Sequence, residues 1–186
     1  MLFQIVSLLL EVAIGLLAGA CLLRLYMQHQ RIPMSIHSGN PLGRFVFALT
    51  DWIVLPLRRV IPPVGRWDMA SLMAAFLLEL AQFAVLWVMA GADGGLFAVP
   101  ILAAFGLLRL TISALTALVI VYAVLSWVQT RSALADVIDR LCAPVLMPIR
   151  RVLPLVGGID LSPLVLLLLL QIAAIVLGHF QGRVLL

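Results

Sequence analysis

Lysine is absent from this sequence, and charged residues of either sign are scarce, making up 11% of the 186 residues. A soluble domain carries roughly 25% charged and about 45–50% apolar residues, whereas 65% of this chain is hydrophobic. A core of this length cannot hide so much apolar surface from water, so the surplus must face lipid. All twelve basic residues are arginines confined to certain segments, which excludes the single basic face of a nucleic-acid-binding protein.

Side chains that catalyse reactions or bind metals are also few. Cys21 and Cys142 lie in different segments without a paired spacing, so each is predicted to be a free thiol. His29, His37 and His179 lack the spacing of metal ligands. No group of Ser, His and Asp suits nucleophilic catalysis, and no glycine loop suits a phosphate. The sequence therefore predicts neither an enzyme nor a bound metal or cofactor.

Four apolar runs are long enough to cross a membrane, which takes about 20 residues. The first run follows no basic residue and is too long for the apolar region of a signal peptide, so it is predicted to be retained. A shorter apolar stretch, 96–104, either lengthens the third span or lies in the interface. The predicted fold class is an all-α membrane protein with spans at about 3–27, 69–90, 105–128 and 161–180.

The arginines predict an orientation in the membrane. The loop 28–68 carries five arginines and the loop 129–160 carries four, whereas the turn 91–95 carries none. Because cytoplasmic loops are enriched in basic residues, both arginine-rich loops are predicted to be cytoplasmic. Both termini are then predicted to lie on the outer, periplasmic side.

An internal repeat joins these spans and loops. The segment Leu55–Asp68 matches Met147–Asp160 at an offset of 92 residues without a gap, and Pro, Arg-Arg, Val, Pro, Val, Gly and Asp recur in order. Each half contains two spans, so the copies share one orientation. We predict two parallel tandem repeats, 1–92 and 93–186, each consisting of a helix, an amphipathic basic cytoplasmic loop and a helix.

Within each loop, apolar residues at three- and four-residue spacings predict an amphipathic helix along the membrane face, over 42–55 and 133–147. Each helix precedes a proline and a pair of arginines, which then fall at the depth of the lipid head groups. The candidate lipid- and partner-binding residues are Arg58, Arg59, Arg150 and Arg151.

The acid that ends each copy of the motif precedes a span. Asp68 and Asp160 are predicted to cap the second and fourth spans by accepting hydrogen bonds from free backbone N–H groups. Ser162, followed by a proline, suits the first turn of the fourth span.

Ionisable groups inside a membrane are costly, so they are candidate functional residues. Glu79 and Gln82 lie in the second span, and the repeat offset places Gln171 at the depth of Glu79, which predicts a contact between Glu79 and Gln171. Glu11 and Arg109 lie toward the outer side and are expected to pair. Two readings remain open: these groups fix the packing of the helices, or Glu79 and Glu11 line an ion or proton path.

The first span has one face of small and polar residues. Ser7, Glu11, Gly15 and Gly19 are four residues apart, so they share a face that is expected to contact protein, either within one chain or in a homo-oligomer. Arg24, near the cytoplasmic end of this span, is expected to extend its guanidinium to the membrane surface.

Several motifs resemble those of the YggT family of bacterial inner-membrane proteins, called YlmG in Gram-positive bacteria and plastids. They are Asn40-Pro41, the Pro-x-Arg-Arg-x-x-Pro step in each copy, and the segment from Gly157 to Pro163. The resemblance covers essentially the whole chain. The copies differ, because the first lacks the Ser-Pro step after Asp68 and the second has Ser132-Ala133 where the first has Asn-Pro.

The resemblance implies a multi-pass protein of the bacterial inner membrane. Members of the family have been connected with osmotic or potassium stress, with cell division and envelope organisation, and with haem attachment to cytochrome b in plastids. These roles fit an assembly or scaffold factor better than an enzyme. We therefore expect a non-enzymatic factor whose arginine-rich loops dock anionic lipid head groups and partner membrane proteins. The alternative is a small ion-linked transport or channel subunit that uses Glu79 and Glu11.

Overall fold

The protein is all-helical in a computed structural model that describes residues 1–35, 40–91, 95, 97–128, 132–153 and 160–184. Six helices occur within these ranges. They are α1 (Leu2–His29), α2 (Pro41–Val60), α3 (Met69–Met89), α4 (Ala98–Val128), α5 (Ala133–Val152) and α6 (Ser162–Val184).

Four of these helices are long and apolar enough to cross a membrane, over Phe3–His29, Met69–Met89, Ala98–Ser126 and Ser162–Gly182. The four predicted spans are therefore confirmed as helices. From Ala98 onward, the stretch 96–104 lengthens the third span, because α4 begins at Ala98 and continues without a break. Pro100 lies in the first turn of α4, where its missing N–H costs no intrahelical hydrogen bond.

The two shorter helices, α2 and α5, extend five residues beyond their predicted ends. Besides Pro144 within α5, each helix continues through the proline of the repeated motif, Pro56 or Pro148, and includes the arginine pair in its last turn. A proline inside a helix costs about 3 kcal/mol, because it removes one hydrogen bond and crowds the preceding turn. The turn beyond each proline is also held from outside the helix, by arginine contacts described below.

Local side-chain bonds fix where α2 and α5 begin. The Asn40 side chain accepts hydrogen bonds from the backbone N–H groups of Leu42 and Gly43. Ser132, at the equivalent place in the second half, accepts from the N–H of Ala135. The two residues differ in the sequence, but each satisfies a free donor in the first helical turn.

Helices α1, α2 and α3 pack together, and so do α4, α5 and α6, while α4 also contacts α3 and α1. Alanines on α3 allow a close approach of α1, because small side chains let helix backbones come together. The first core contains Ala18, Cys21, Val54, Ala70, Ala74, Ala75 and Leu78. The second contains Val119, Ile138, Cys142, Leu146 and Leu166.

A third buried cluster connects the end of α1 with α5, through Met27, Ile32, Met34, Val137 and Leu141. The Tyr26 hydroxyl donates a hydrogen bond of 2.8 Å to the carbonyl of Leu141 in this region. The two groups of helices are therefore tied together at the ends that carry α2 and α5.

The predicted glycine face of α1 is not its main packing face. A side chain placed at Gly15 would only just reach Leu110, at 4.0 Å, and one at Gly19 would meet nothing within 4 Å. Ala18 and Cys21, which are fully buried, make the close contact instead. Within the described chain, the glycines therefore leave a shallow and partly open surface.

Candidate functional site

The first arginine pair, Arg58-Arg59, lies in the last turn of α2. Arg58 donates from Nε to Asp68 Oδ1 at 3.3 Å and from Nη2 to Asp68 Oδ2. The Ser71 hydroxyl donates to the same Oδ2 at 2.6 Å. Asp68 is only 2% exposed. We call the Arg58–Asp68 pair the first arginine brace, since it fastens the end of α2 to the start of α3.

Asp68 does occupy the N-cap position of α3, but its side chain accepts no hydrogen bond from the backbone of the helix. The predicted cap is therefore wrong in its mechanism, because Arg58 and Ser71 satisfy the carboxylate instead. Burial opposes ionisation of this group, but the hydrogen bonds from Arg58 and Ser71 outweigh it and hold the Asp68 pKa below its ordinary value.

The second brace joins Arg150, in the last turn of α5, to Asp160. Arg150 donates from Nε to Asp160 Oδ2 at 2.8 Å and from Nη2 to the Tyr122 hydroxyl at 2.5 Å. Asp160 Oδ1 also accepts from the backbone N–H of Ser162 at 2.9 Å. Here the predicted hydrogen bond is present, because Asp160 satisfies a free donor in the first turn of α6. Asp160 lies two residues before Ser162, the first residue of that helix, and so is not at the N-cap position itself.

Burial again opposes ionisation of Asp160, and the hydrogen bonds from Ser162 and Arg150 lower its pKa all the same. This brace is more open than the first: the exposed fraction is 28% for the Asp160 side chain and 38% for Arg150. The two braces therefore connect equivalent helix ends, but only the first contains a buried carboxylate.

The structure thus divides the four predicted binding arginines into two kinds. Arg58 and Arg150 are engaged within the chain, whereas Arg59 and Arg151 are exposed. No hydrogen bond or ion pair joins Arg59 or Arg151 to another residue in the described part of the chain. Of the four, only Arg59 and Arg151 have a guanidinium group without a partner among the described residues.

Arg24 does not extend to the membrane surface as predicted, because it is 2% exposed. Its Nη1 donates to Thr50 Oγ1 and to Asp51 Oδ1, each at 2.7 Å. The guanidinium carbon also lies 4.7 Å from the centre of the Phe47 ring. All three partners are on α2, so a charged group joins α2 to α1. The sequence signal for this pair was Asp51, an acid on an otherwise basic amphipathic helix.

Glu79 and Gln82 are buried on α3, each with an exposed fraction of 5%. The Glu79 carboxylate packs directly against Gly106 of α4, where any larger side chain would collide with it. Gln171, in contrast, is exposed on α6. The predicted contact between Glu79 and Gln171 is therefore wrong: α4 contacts both α3 and α6, and Glu79 faces α4.

Glu11 and Arg109 form the expected pair, with 3.6 Å between Glu11 Oε1 and Arg109 Nη2. Both side chains are more than half exposed from the protein, so the pair lies at the edge of the bundle, between α1 and α4. Glu11 and Arg109 thus form an ion pair at the edge of the bundle. Glu79 is a buried acid, and Gly106 provides the space for its carboxylate.

Among the described residues, no three His, Cys, Asp or Glu side chains come together as a metal site would require. Cys21 and Cys142 are free, as predicted, and both are buried. Burial raises the pKa of the Cys142 thiol to about 12. His29 packs on Trp67, with ring centres 4.4 Å apart, and His179 is exposed. His37 lies outside the described residues.

Four apolar helices of spanning length, with one amphipathic helix between α1 and α3 and another between α4 and α6, define a multi-pass helical membrane protein. The chain belongs to the CCB3/YggT family, whose model matches residues 2–89 and again 101–181. Protein YggT of Escherichia coli K12, described as uncharacterized, is 41% identical over 168 residues, which cover 88% of this chain and 84% of that protein.

Two further relatives are similar in extent. An uncharacterized protein in the proC 3′ region of Vibrio alginolyticus is 35% identical over 182 residues, or 96% of each chain. An uncharacterized protein of Haemophilus influenzae is 30% identical over 161 residues, covering 84% of this chain and 82% of its own. No solved structure matches the chain.

Proposed function

We propose that this protein is a non-enzymatic scaffold or assembly factor of the bacterial inner membrane. Its docking surface consists of the exposed arginines in the last turns of α2 and α5, within the repeated motif. One observation carries the proposal: in each brace the first arginine is bound to an aspartate, while the second, Arg59 or Arg151, is exposed without a partner among the described residues. The braces fix the helix ends, and the free arginines are thereby presented at fixed positions.

The proposal includes two parallel repeats with both arginine-rich segments on the cytoplasmic side. Several observations support it: α2 and α5 start 92 residues apart and have the same length, both end in a brace, and the family model matches the chain in two segments. An exposed arginine near an anionic leaflet contributes about 1 kcal/mol to membrane association. Envelope, division or membrane-complex organisation is the role that this surface would serve.

The test is a crosslinked pull-down from native membranes with an Arg59→Ala, Arg151→Ala variant. We expect membrane-protein partners recovered with the wild-type chain to be lost or strongly reduced, while the protein still inserts and folds. Arg183→Ala is the matched control, since it removes an arginine outside the motif. If the double variant retains all its crosslinked partners, or the control loses them equally, the docking proposal is wrong.

A second candidate is an ion-linked transport or channel subunit, because Glu79 is a buried acid inside a span. Glu79→Gln keeps the size of this side chain and removes its charge. Reconstituted ion flux that disappears with Glu79→Gln and persists in the Arg59→Ala, Arg151→Ala variant would replace the scaffold proposal with this one. An absence of flux in the wild-type vesicles would remove the second candidate.

The orientation has its own test. A reporter that is active only in the cytoplasm, fused after the last residue, should be inactive, and one inserted after residue 35 in the loop between α1 and α2 should be active. The reverse pattern would place the arginine-rich segments on the outer side and contradict cytoplasmic docking.

A further inference from the structure

The side of α2 that faces away from the protein is apolar at its centre and basic at both ends. Its buried side consists of Gly43, Val46, Thr50 and Val54. The opposite side we call the α2 outer face. Its members are exposed and follow one another every three or four residues, so they form one stripe along the helix; they are Arg44, Ala48, Trp52, Leu55 and Arg59.

The α2 outer face exposes large apolar side chains that a helix in water would not place opposite its core. Trp52 is 61% exposed, and Phe45 beside it is 57% exposed. The charge of this face is positive and uncompensated, because the one acid of α2, Asp51, is paired with Arg24. Arg44 has no ion-pair partner among the described residues either.

Neither bulk water nor the acyl interior suits such a face. Water would leave the tryptophan and its apolar neighbours solvated, and the acyl interior would leave two arginines without counter-charge. The boundary between the head groups and the acyl chains suits both, because aromatic rings prefer that level and arginines there meet anionic lipid. Helix α2 lies in the chain between the span Phe3–His29 and the span Met69–Met89, so it connects two helix ends that lie at one surface of the membrane.

The equivalent face of α5 has a different chemistry. Adding the repeat offset of 92 residues gives the α5 outer face, which is also exposed: Asp136, Arg140, Pro144, Met147 and Arg151. An aspartate replaces Arg44, an arginine replaces Ala48, and a proline replaces Trp52. Asp139 adds a second exposed carboxylate. Anionic head groups repel such acids, and no exposed aromatic residue offsets the repulsion.

We propose that the α2 outer face lies in the anionic head-group region of the membrane, whereas the α5 outer face stays in water. This inference rests on the proposed docking function and assigns its lipid contact to one helix. The α5 outer face is thereby left accessible on the aqueous side of the same membrane surface.

The test compares two equivalent positions in the full-length chain, reconstituted in phosphatidylcholine vesicles that contain phosphatidylglycerol. In a background with Cys21→Ala and Cys142→Ala, a nitroxide label is attached at Ala48→Cys or at Arg140→Cys. Collision with oxygen, which concentrates in lipid, is compared with collision with a water-soluble nickel chelate. The label at 48 should favour oxygen, and the label at 140 should favour nickel.

Two results would overturn the inference: a label at 48 that collides preferentially with nickel, or labels at both positions that favour oxygen equally. Helical circular dichroism and a single elution peak establish that each labelled chain is folded before it is measured. Because the depth measurement needs no protein partner, it succeeds or fails independently of the crosslinking test of the docking function.

A second arm tests the charge of the lipid. Omitting phosphatidylglycerol, or replacing both Arg44 and Arg59 by glutamine, should lower the ratio of lipid-embedded to water-exposed label at 48 about tenfold or more. Arg140→Gln, on the α5 outer face and outside the arginine pairs, is the control and should leave that ratio unchanged. Insensitivity of the label at 48 to both changes would mean that anionic lipid is not what this face binds.

Discussion

Replacing Arg58 by alanine removes the brace between the end of α2 and the start of α3. The variant would leave Asp68, which is 2% exposed, without both of its arginine hydrogen bonds, while the bond from Ser71 remains. Removing one partner of a fully buried ion pair costs about 3–5 kcal/mol. Arg58 is itself 34% exposed, so water screens part of the interaction, and we expect the free energy of unfolding to fall by about 2 kcal/mol.

The second brace provides the comparison. Both members of the Arg150–Asp160 pair are partly exposed, so Arg150→Ala should cost about 1 kcal/mol or less. Arg59→Ala, one residue from the first brace, should stay within about 0.5 kcal/mol of the wild type. Denaturant titration in detergent micelles, monitored by the circular dichroism of the helices, measures the free energy of unfolding of all three variants. Adding Asp68→Asn to Arg58→Ala should recover part of the lost free energy of unfolding, because the buried side chain at position 68 is then neutral.

The brace also predicts a pH dependence. The Asp68 pKa is lower in the folded chain than its ordinary value of 3.8. The unfolded chain therefore binds more protons than the folded chain as the pH falls from the ordinary pKa to the lowered one. The stabilisation is therefore complete above about pH 4 and is lost below it. The difference between the wild type and Arg58→Ala should shrink on acidification. A difference that stays constant, or an Arg58→Ala variant as stable as Arg59→Ala, would refute the brace.

Three further predictions concern helix packing, a helix cap and a buried thiol. Gly106→Ala places a methyl group 2.6 Å from Phe83 Cε2 and should lower the free energy of unfolding in micelles by about 1–3 kcal/mol. The control Gly178→Ala, whose added methyl group meets nothing within 4 Å, should be neutral or stabilising. Equal effects of the two substitutions would contradict the α3–α4 packing. Asn40→Ala should cost about 1 kcal/mol in the same titration through loss of the α2 cap, and no loss would contradict that cap. Cys142, whose pKa is raised to about 12 by burial, should resist maleimide at neutral pH until the chain unfolds, and rapid labelling of the folded chain would contradict its burial.

The spans and the amphipathic helices were predictable because their signals are local. A run of about 20 apolar residues has few alternatives to a spanning helix, and a three- and four-residue apolar spacing predicts that α2 and α5 are amphipathic helices. The ends of these two helices were less predictable. Proline normally ends a helix, but at Pro56 and Pro148 contacts from the next helix hold the following turn in place.

The side-chain partners depended on three-dimensional packing that the sequence does not specify. Arg58 and Arg59 are adjacent and chemically identical, yet only the helical rotation at the end of α2 turns Arg58 toward Asp68. Glu79 was recognisable as a buried acid, but its neighbour was not, because the repeat offset pointed to Gln171. Sequence reasoning did not identify Gly106 of α4, which has no side chain and therefore leaves room for the Glu79 carboxylate.

The comparison of the two halves explains why α2 rather than α5 is suited to a fixed place at the membrane surface. Arg24 ties α2 to the first span through Thr50 and Asp51. At the equivalent positions of the second half the chain has Thr116, Cys142 and Ala143, so no such charge pair exists there. Helix α5 is held by apolar packing along its length and by the Arg150 brace at its end. A buried guanidinium with directional bonds fixes the rotation of α2 about its axis, and that rotation decides whether Trp52 faces lipid or water.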